Sequence, residues 1–344
     1  NYSHYILYIY RIMPLIRQIF FSSLWFFVFQ NLYMQHKHYL QILSQAWYLA
    51  LNIFYNTASF YTKISIFFLI KAIPELVKVK RRETLKNSLS KTKITSTRLA
   101  LKNLLKNKSI LITGGAGSLG NILVEKLLTY PIKQVRVLDI NEHALFQIKR
   151  KFNDKRLRIL FGGITDLDRI EMACNGIDII IHAAALKNIE ITEFNAIDTV
   201  DINVNGTLNV VKTAIKKEPK IFLNVSTDKV TNSTTLYGTT KEIGERLTTW
   251  ASIHFQTTKF LSVRFGNIME TRGNVFEVWK QESKNNQPLS ITDPRMKRFF
   301  WHADEAANFI LECLHIGKQG DIIIPKMKSY KIKELADRIS TKQK

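Results

Sequence analysis

Residues 226–241 read STDKVTNSTTLYGTTK, so a hydroxyl, a carboxylate and an ammonium stand side by side, followed by a tyrosine and a lysine four residues apart. The apolar run IFLNV at 221–225 just before them predicts a short buried strand. Tyr237 and Lys241 then open a helix, where residues four apart share one face. An ammonium near a phenol stabilises the phenolate, so the spacing predicts a lowered Tyr237 pKa and a tyrosine able to act as a base. Asp228 and Lys229, carried by the strand end, add further groups for proton transfer, with Ser226 and Thr227 as hydrogen-bonding hydroxyls. Taken alone, the stretch also fits an ordinary polar strand-to-helix loop.

The elements that must position these groups begin over a hundred residues upstream. SILIT at 109–113 is a short apolar strand, and GGAGSLG at 114–120 follows it and opens a helical run at 121–129. Gly114, Gly117 and Gly120 allow a tight turn, a close approach by a pyrophosphate, and tight packing of helix on strand. The helix N-terminus adds amide donors and a favourable dipole for that pyrophosphate. A second strand, VRVLD at 135–139, ends in Asp139, about 20 residues beyond the glycines, where an acid accepts hydrogen bonds from an adenosine ribose and favours NAD over NADP. Asp139 also fits a turn residue capping the next helix.

Further strands are expected at 156–161, 178–182, 221–225 and 260–265, with helical patterns between them, one running unbroken from 192 to 217. Strands alternating with helices predict an α/β fold, a Rossmann-type doubly wound parallel sheet. Ligands of such sheets lie beyond the carboxyl ends of the strands. Asp139, the HAAA run at 182–185 and STDK at 226–229 all fall there, and the small Ala183, Ala184 and Ala185 leave room for a cofactor. His182 reads as a structural strand-end residue.

Seven stretches, in order, carry a family resemblance: LITGGAGSLG (111–120), HAAALK (182–187), NVNGT (203–207), STDK (226–229), VRFGN (263–267), TDPRMKRFF (292–300) and IPKM (324–327). From about residue 108 to 336 the chain resembles the CapD-like nucleotide-sugar 4,6-dehydratases of polysaccharide and glycan biosynthesis, in the extended short-chain dehydrogenase/reductase superfamily. The resemblance implies a UDP-N-acetylglucosamine-type substrate, tightly held NAD (or NADP), a homo-oligomer, and a small C-terminal substrate lobe at 264–344. It places Gly114, Gly117, Ser118, Leu119, Gly120, Asp139, Ile164, Ala183, Ala184, Ala185, Lys187, Asn203, Tyr237 and Lys241 against the cofactor. It places Lys187, Ser226, Asn267, Arg272, Arg298 and Lys326 against the substrate.

The catalytic set is then Thr227, Asp228, Lys229, Tyr237 and Lys241. Tyr237, assisted by Lys241, takes the proton of the sugar 4-hydroxyl as a hydride leaves C4. The C4 ketone acidifies C5, and Asp228 and Lys229 manage C5 deprotonation and loss of the C6 hydroxyl as water. The product expected is a 4-keto-6-deoxy sugar. A C4 epimerase shares the Tyr-x-x-x-Lys pair but usually carries small or hydroxyl residues where Asp228 and Lys229 stand. The chain also departs from the family pattern. Gly163 replaces an acid that usually contacts adenine, and Glu270 and Asn274 replace a Gly and a Ser of the substrate region. The Arg-Pro-Gly-Glu segment usual in relatives does not follow residue 336, and the first residue is Asn1. A truncated, non-catalytic cofactor-binding homologue is therefore a further expectation.

The first 108 residues differ in kind, with 16 basic side chains against two acids, Glu75 and Glu83, in a chain of net charge +22. Residues 19–34 and 39–62 are uncharged, and the second, of 24 residues, is long enough for a hydrocarbon core of about 30 Å. The basic run at 71–108 suits the cytoplasmic face of an anionic membrane. The domains expected are an apolar helical anchor at 1–73, a basic linker at 74–107 and the dehydratase at 108–344. The alternative is a soluble cytoplasmic protein whose apolar helices pack on the enzyme. No base-reading pattern accompanies the charge, so no nucleic acid is expected. Cys174 and Cys313 have no metal spacing, no metal is expected, His36 and His38 read as a surface turn, and no cleavable signal peptide is evident.

Overall fold

Residues 82–86, 91–269 and 274–341 are described by the structure, a computed structural model. Short runs of branched apolar residues form strands because both of their faces are covered, which is why they read as continuous rather than alternating apolar sequence. Thus β2 (Ser109–Thr113) and β6 (Ile221–Val225) are buried at every position. Around them lie β1 (Arg82–Lys86), β3 (Gln134–Asp139), β4 (Leu157–Phe161), β5 (Ile179–His182), β7 (Lys259–Val263) and β10 (Asp321–Pro325). They form one sheet of order β1-β10-β7-β6-β5-β2-β3-β4, with every pairing parallel. The expected doubly wound sheet is present, and the strands begin or end within two residues of the expected bounds.

Helices cover both faces. On one lie α1 (Lys91–Leu105), α2 (Ser118–Leu128) and α3 (Glu142–Phe152), over a core that includes Leu105, Ile112, Leu123, Val137, Leu223 and Leu261. The other face is covered by α4 (Leu167–Cys174) and two helices reached after a broken segment, over Leu111, Ile180, Phe222 and Phe260. The single helix expected at 192–217 is instead α5 (Ile189–Phe194), α6 (Ala196–Val200), a π-helical turn (Asp201–Gly206) and α7 (Thr207–Lys217). Asn195, with backbone angles outside the helical region, separates the first two. The second covering helix is the long α8 (Leu236–His254).

The smaller lobe contains β8 (Asn267–Ile268), α9 (Val275–Lys284), β9 (Lys297–Trp301), β11 (Ser329–Lys331) and α11 (Ile332–Thr341). Its own core is Trp279, Phe300, Ile332 and Ala336, with the Trp279 indole donating to the Ser290 carbonyl at 2.7 Å. Between β9 and β10, α10 (Ala303–Ile316) returns to the sheet beside α2. Residues 82–86 and 91–105, inside the segment expected as a basic linker, form an edge strand on β10 and helix α1. The apolar stretches at 19–34 and 39–62, with His36 and His38, lie outside the described residues. Among the described residues no helix is long and apolar enough to cross a membrane.

Two glycines of the first turn are dictated by space. Gly114 has φ +68°, and a Cβ there would lie 2.6 Å from the Ala184 Cα. A Cβ on Gly120 would lie 2.5 Å from the Gly115 Cα. His182 is fully buried between two hydroxyls, Thr113 Oγ1 on Nδ1 at 2.7 Å and Thr207 Oγ1 on Nε2 at 2.9 Å. Burial, helped by the Lys241 charge, pushes its pKa down to about 3, so it is a neutral strut between β2, β5 and α7. Gly120→Ala should cost about 1–3 kcal/mol by overpacking, read as a lower denaturant midpoint at unchanged slope; a midpoint equal to wild type would contradict the close approach.

Candidate functional site

The site grows from the carboxyl ends of β6 and β7. Past their last paired residues the ladder continues, with Ser226 N donating to the Val263 carbonyl at 2.7 Å and Asp228 N to the Phe265 carbonyl at 3.1 Å. A 3-10 turn (Asp228–Val230) follows, entered through extended Thr227, whose Oγ1 accepts from Lys229 N at 3.4 Å. Thr227 Oγ1 donates to Asp228 Oδ1 at 3.1 Å. Lys229 Nζ donates to the same carboxylate oxygen at 3.2 Å and to Asn267 Oδ1 at 2.9 Å. Asp228 and Lys229 are thus an ion pair held by β8.

Helix α8 brings Tyr237 to this turn. Its N-cap Thr235 accepts from Gly238 N at 3.2 Å, and Leu236 N donates to Glu193 Oε1 at 2.7 Å. Burial pushes the Tyr237 phenol up to about 12, against a hydrogen bond shared with the Thr227 side chain, while the Asp228 carboxylate adds to the rise. The lowered phenol expected from the Tyr-x-x-x-Lys spacing is therefore not found, burial raising it instead. Lys241 is itself buried, and burial brings it down to about 8, opposed by the carboxylate of Glu245. Although Tyr237 is half-buried as a residue and Lys241 buried, desolvation favours the neutral form of each.

The first-turn amides of α2 face the same end of the sheet. Their N-cap is Gly117, which has no side chain to cap them. Asp139 ties this turn down, its Oδ2 accepting from Ala116 N and its Oδ1 from Asn141 N, both at 3.0 Å. The helix that follows is capped by Asn141 rather than by Asp139. Ala183, Ala184 and Ala185 are half-buried and Ile164 is buried. Asn203 acts as a strut: its Nδ2 donates to the Leu186 carbonyl at 2.9 Å and to Thr240 Oγ1 at 3.1 Å, and its Oδ1 accepts from Leu186 N at 2.8 Å. Thr240 in turn donates to the Tyr237 carbonyl at 2.9 Å.

Thr227, Asp228, Lys229, Tyr237, Lys241 and Asn267 are thus assembled. Lys187 is exposed as a residue, yet burial of its ammonium lowers its pKa, with Glu277 opposing and Lys229 adding to the fall, which places it within their field. Ser226 is buried beside them with no hydrogen-bond partner for its Oγ. Arg298 lies on β9 opposite Tyr330, its Nη1 on the Lys297 carbonyl at 3.0 Å, and Lys326 is exposed after β10; neither has a described contact with the group. Arg272 and Glu270 lie outside the described residues. Sequence reasoning passed over Glu245 and Arg264, a fully buried bidentate pair with both contacts at 2.7 Å. The available signal was Glu245 standing four residues after Lys241. Among the described residues no group of His, Cys, Asp and Glu could hold a metal ion.

Comparison with known proteins agrees with this geometry. Residues 110–344 match the family described as polysaccharide biosynthesis protein. An uncharacterised membrane protein of Methanocaldococcus jannaschii is 39% identical over 239 residues, 69% of this chain and 72% of that one. A UDP-N-acetylglucosamine 4,6-dehydratase (inverting) of Campylobacter jejuni is 33% identical over 68% of this chain and 71% of its own. A UDP-glucose 4-epimerase of Rickettsia felis is 31% identical over 67% and 69%. The X-ray structure of Pen from Bacillus thuringiensis superposes with a TM-score of 0.68 at 34% identity, over 70% of this chain and 74% of that one. With more than half its length matched, and with the glycine turn and the Tyr237 site on the sheet edge where they were expected, the chain belongs to the polysaccharide biosynthesis protein family.

Proposed function

We propose that the chain is a nucleotide-sugar 4,6-dehydratase that converts a UDP-N-acetylhexosamine to a 4-keto-6-deoxy sugar with NAD as resident cofactor. The observation that carries this is the Asp228–Lys229 ion pair, held by Asn267 directly beside Tyr237. Oxidation at C4 needs only Tyr237 and Lys241; a second acid–base pair beside them is what elimination of water requires.

The residues fit NAD. Gly114 and Gly120 leave no bulk on the turn, uncapped α2 amides suit a pyrophosphate, and the Asp139 carboxylate keeps lone pairs for ribose hydroxyls while repelling a further phosphate. When bound, NAD would supply the acceptor for the C4 hydride and the hydride that returns to C6. Tyr237 takes the 4-hydroxyl proton, and the Lys241 ammonium stabilises the phenolate form. Thr227 and the unpartnered Ser226 hydroxyl are the groups available to the 4-oxygen. With C4 oxidised, the C5 proton is acidic, and Asp228 and Lys229 divide its removal and the protonation of the departing C6 oxygen.

The epimerase reading draws on relatives of that name, and it asks nothing of Asp228 and Lys229. Asp228→Asn separates the two: a dehydratase variant should still form reduced nicotinamide with UDP-N-acetylglucosamine but give no 4-keto-6-deoxy sugar. C4-epimerised sugar at the wild-type rate would sink the dehydratase reading. Tyr237→Phe should lower kcat by about 100-fold or more in either case.

Attachment of the N-terminal region to the cytoplasmic side of a membrane is part of this reading. It is supported by the uncharged residues 39–62, the basic run after them, and the membrane protein among the relatives. The protein should sediment with membranes and need detergent for release; full recovery in low-salt supernatant would rule this out.

A pH dependence follows from burial. The Lys241 pKa is depressed to about 8, so its ammonium is present below that pH and is lost as pH rises through it. The kcat/KM of the free enzyme should fall above about pH 8, and Lys241→Arg, which stays charged, should abolish that limb while lowering the rate. A profile that keeps rising through the same range would contradict the assignment.

A further inference from the structure

Glu245 is wholly buried one turn beyond Lys241, and the strand end at Arg264 is equally inaccessible. Arg264 Nε donates to Glu245 Oε1 and Nη2 to Oε2, each at 2.7 Å, a planar two-point contact. What the two residues stand on gives the pair its meaning. Glu245 belongs to α8, which carries Tyr237 and Lys241. Arg264 follows β7 and leads into the segment whose Phe265 carbonyl receives Asp228 N and whose Asn267 holds Lys229. The oxidation pair and the elimination pair thus reside on separate elements, and this buried fork joins them.

We propose that Glu245 and Arg264 are positioning residues, whose ion pair locks the helix bearing Tyr237 and Lys241 onto the end of β7, where the Phe265 carbonyl and Asn267 hold Asp228 and Lys229. The proposal rests on the dehydratase reading for its consequence in turnover, though not for the clamp itself. A bidentate guanidinium–carboxylate contact fixes distance and orientation together, which a lysine in place of Arg264 could not do. Its burial also makes removal of one partner costly. The charged or titratable groups that interact with Lys241 are Glu245 on α8 and neutral His182 on β5, with Arg264, just past β7, bonded to Glu245. Loss of the Glu245 carboxylate therefore lowers the Lys241 pKa and leaves Arg264 as a second cation close by.

Glu245→Gln, of the same shape, and Arg264→Lys test the clamp in the full-length protein. Amide hydrogen exchange followed by mass spectrometry needs no substrate. Both variants should exchange about tenfold faster than wild type at 226–231 and 264–268. Wild-type exchange at both segments in a folded variant overturns the proposal, whatever the turnover. With UDP-N-acetylglucosamine, Glu245→Gln should accumulate reduced nicotinamide while product formation falls about tenfold, and its alkaline limb should move down by about one pH unit. An unchanged limb and no such partition also overturn it. Should Glu245→Gln fail to fold, Arg264→Lys carries both readouts under the same criteria. Absence of a 4-keto sugar from wild type would instead count against the dehydratase reading, leaving the exchange measurement to judge the clamp.

Discussion

The β6–β7 ladder does not stop where the strands stop, and the site depends on that continuation. Two further backbone bonds, from Ser226 and Asp228 to the Val263 and Phe265 carbonyls, carry the pairing beyond the apolar interior. Within the sheet, β6 is buried at every position and carries no charged side chain. One step past its edge, Asp228 and Lys229 keep the register of the strands while gaining polar neighbours. Because every strand of the sheet points the same way, Asp139, the alanines after His182, and the Asp228–Lys229 turn reach that edge together.

Burial sets the chemistry of the helix that meets this edge. It holds Tyr237 as a phenol and leaves Lys241 with only a modest preference for its ammonium. For each group desolvation is the largest influence on its charge. His182, pressed between Thr113 and Thr207, stays neutral, so Lys241 gains no second cation beside it.

Much of this architecture is legible in the residues. SILIT and IFLNV announce strands buried on both faces, and the glycine turn announces a backbone that must be approached closely, as the Gly114–Ala184 and Gly120–Gly115 contacts bear out. The Asp228–Lys229 and Tyr237–Lys241 pairs are local in sequence, so their spacing gives them away. Partnerships across the fold leave fainter marks. Glu245 and Arg264 are nineteen residues apart on different elements, and each alone reads as a surface charge. The interruption of the 192–217 pattern is equally hidden, because Asn203 turns inward to hold Leu186 and Thr240 from within a segment of helical composition. The strand at 82–86 is charged enough to pass for a linker, since an edge strand need not be apolar.

Coupling two half-reactions in one site has an intramolecular signature: the hydrogen removed from C4 must return to the same sugar. UDP-N-acetylglucosamine carrying deuterium at C4 would follow it directly. Mass and NMR analysis of the product should find that deuterium on the C6 methyl group, with a solvent hydrogen at C5. Deuterium retained at C4, in sugar of either configuration there and still bearing its C6 hydroxyl, would contradict the account.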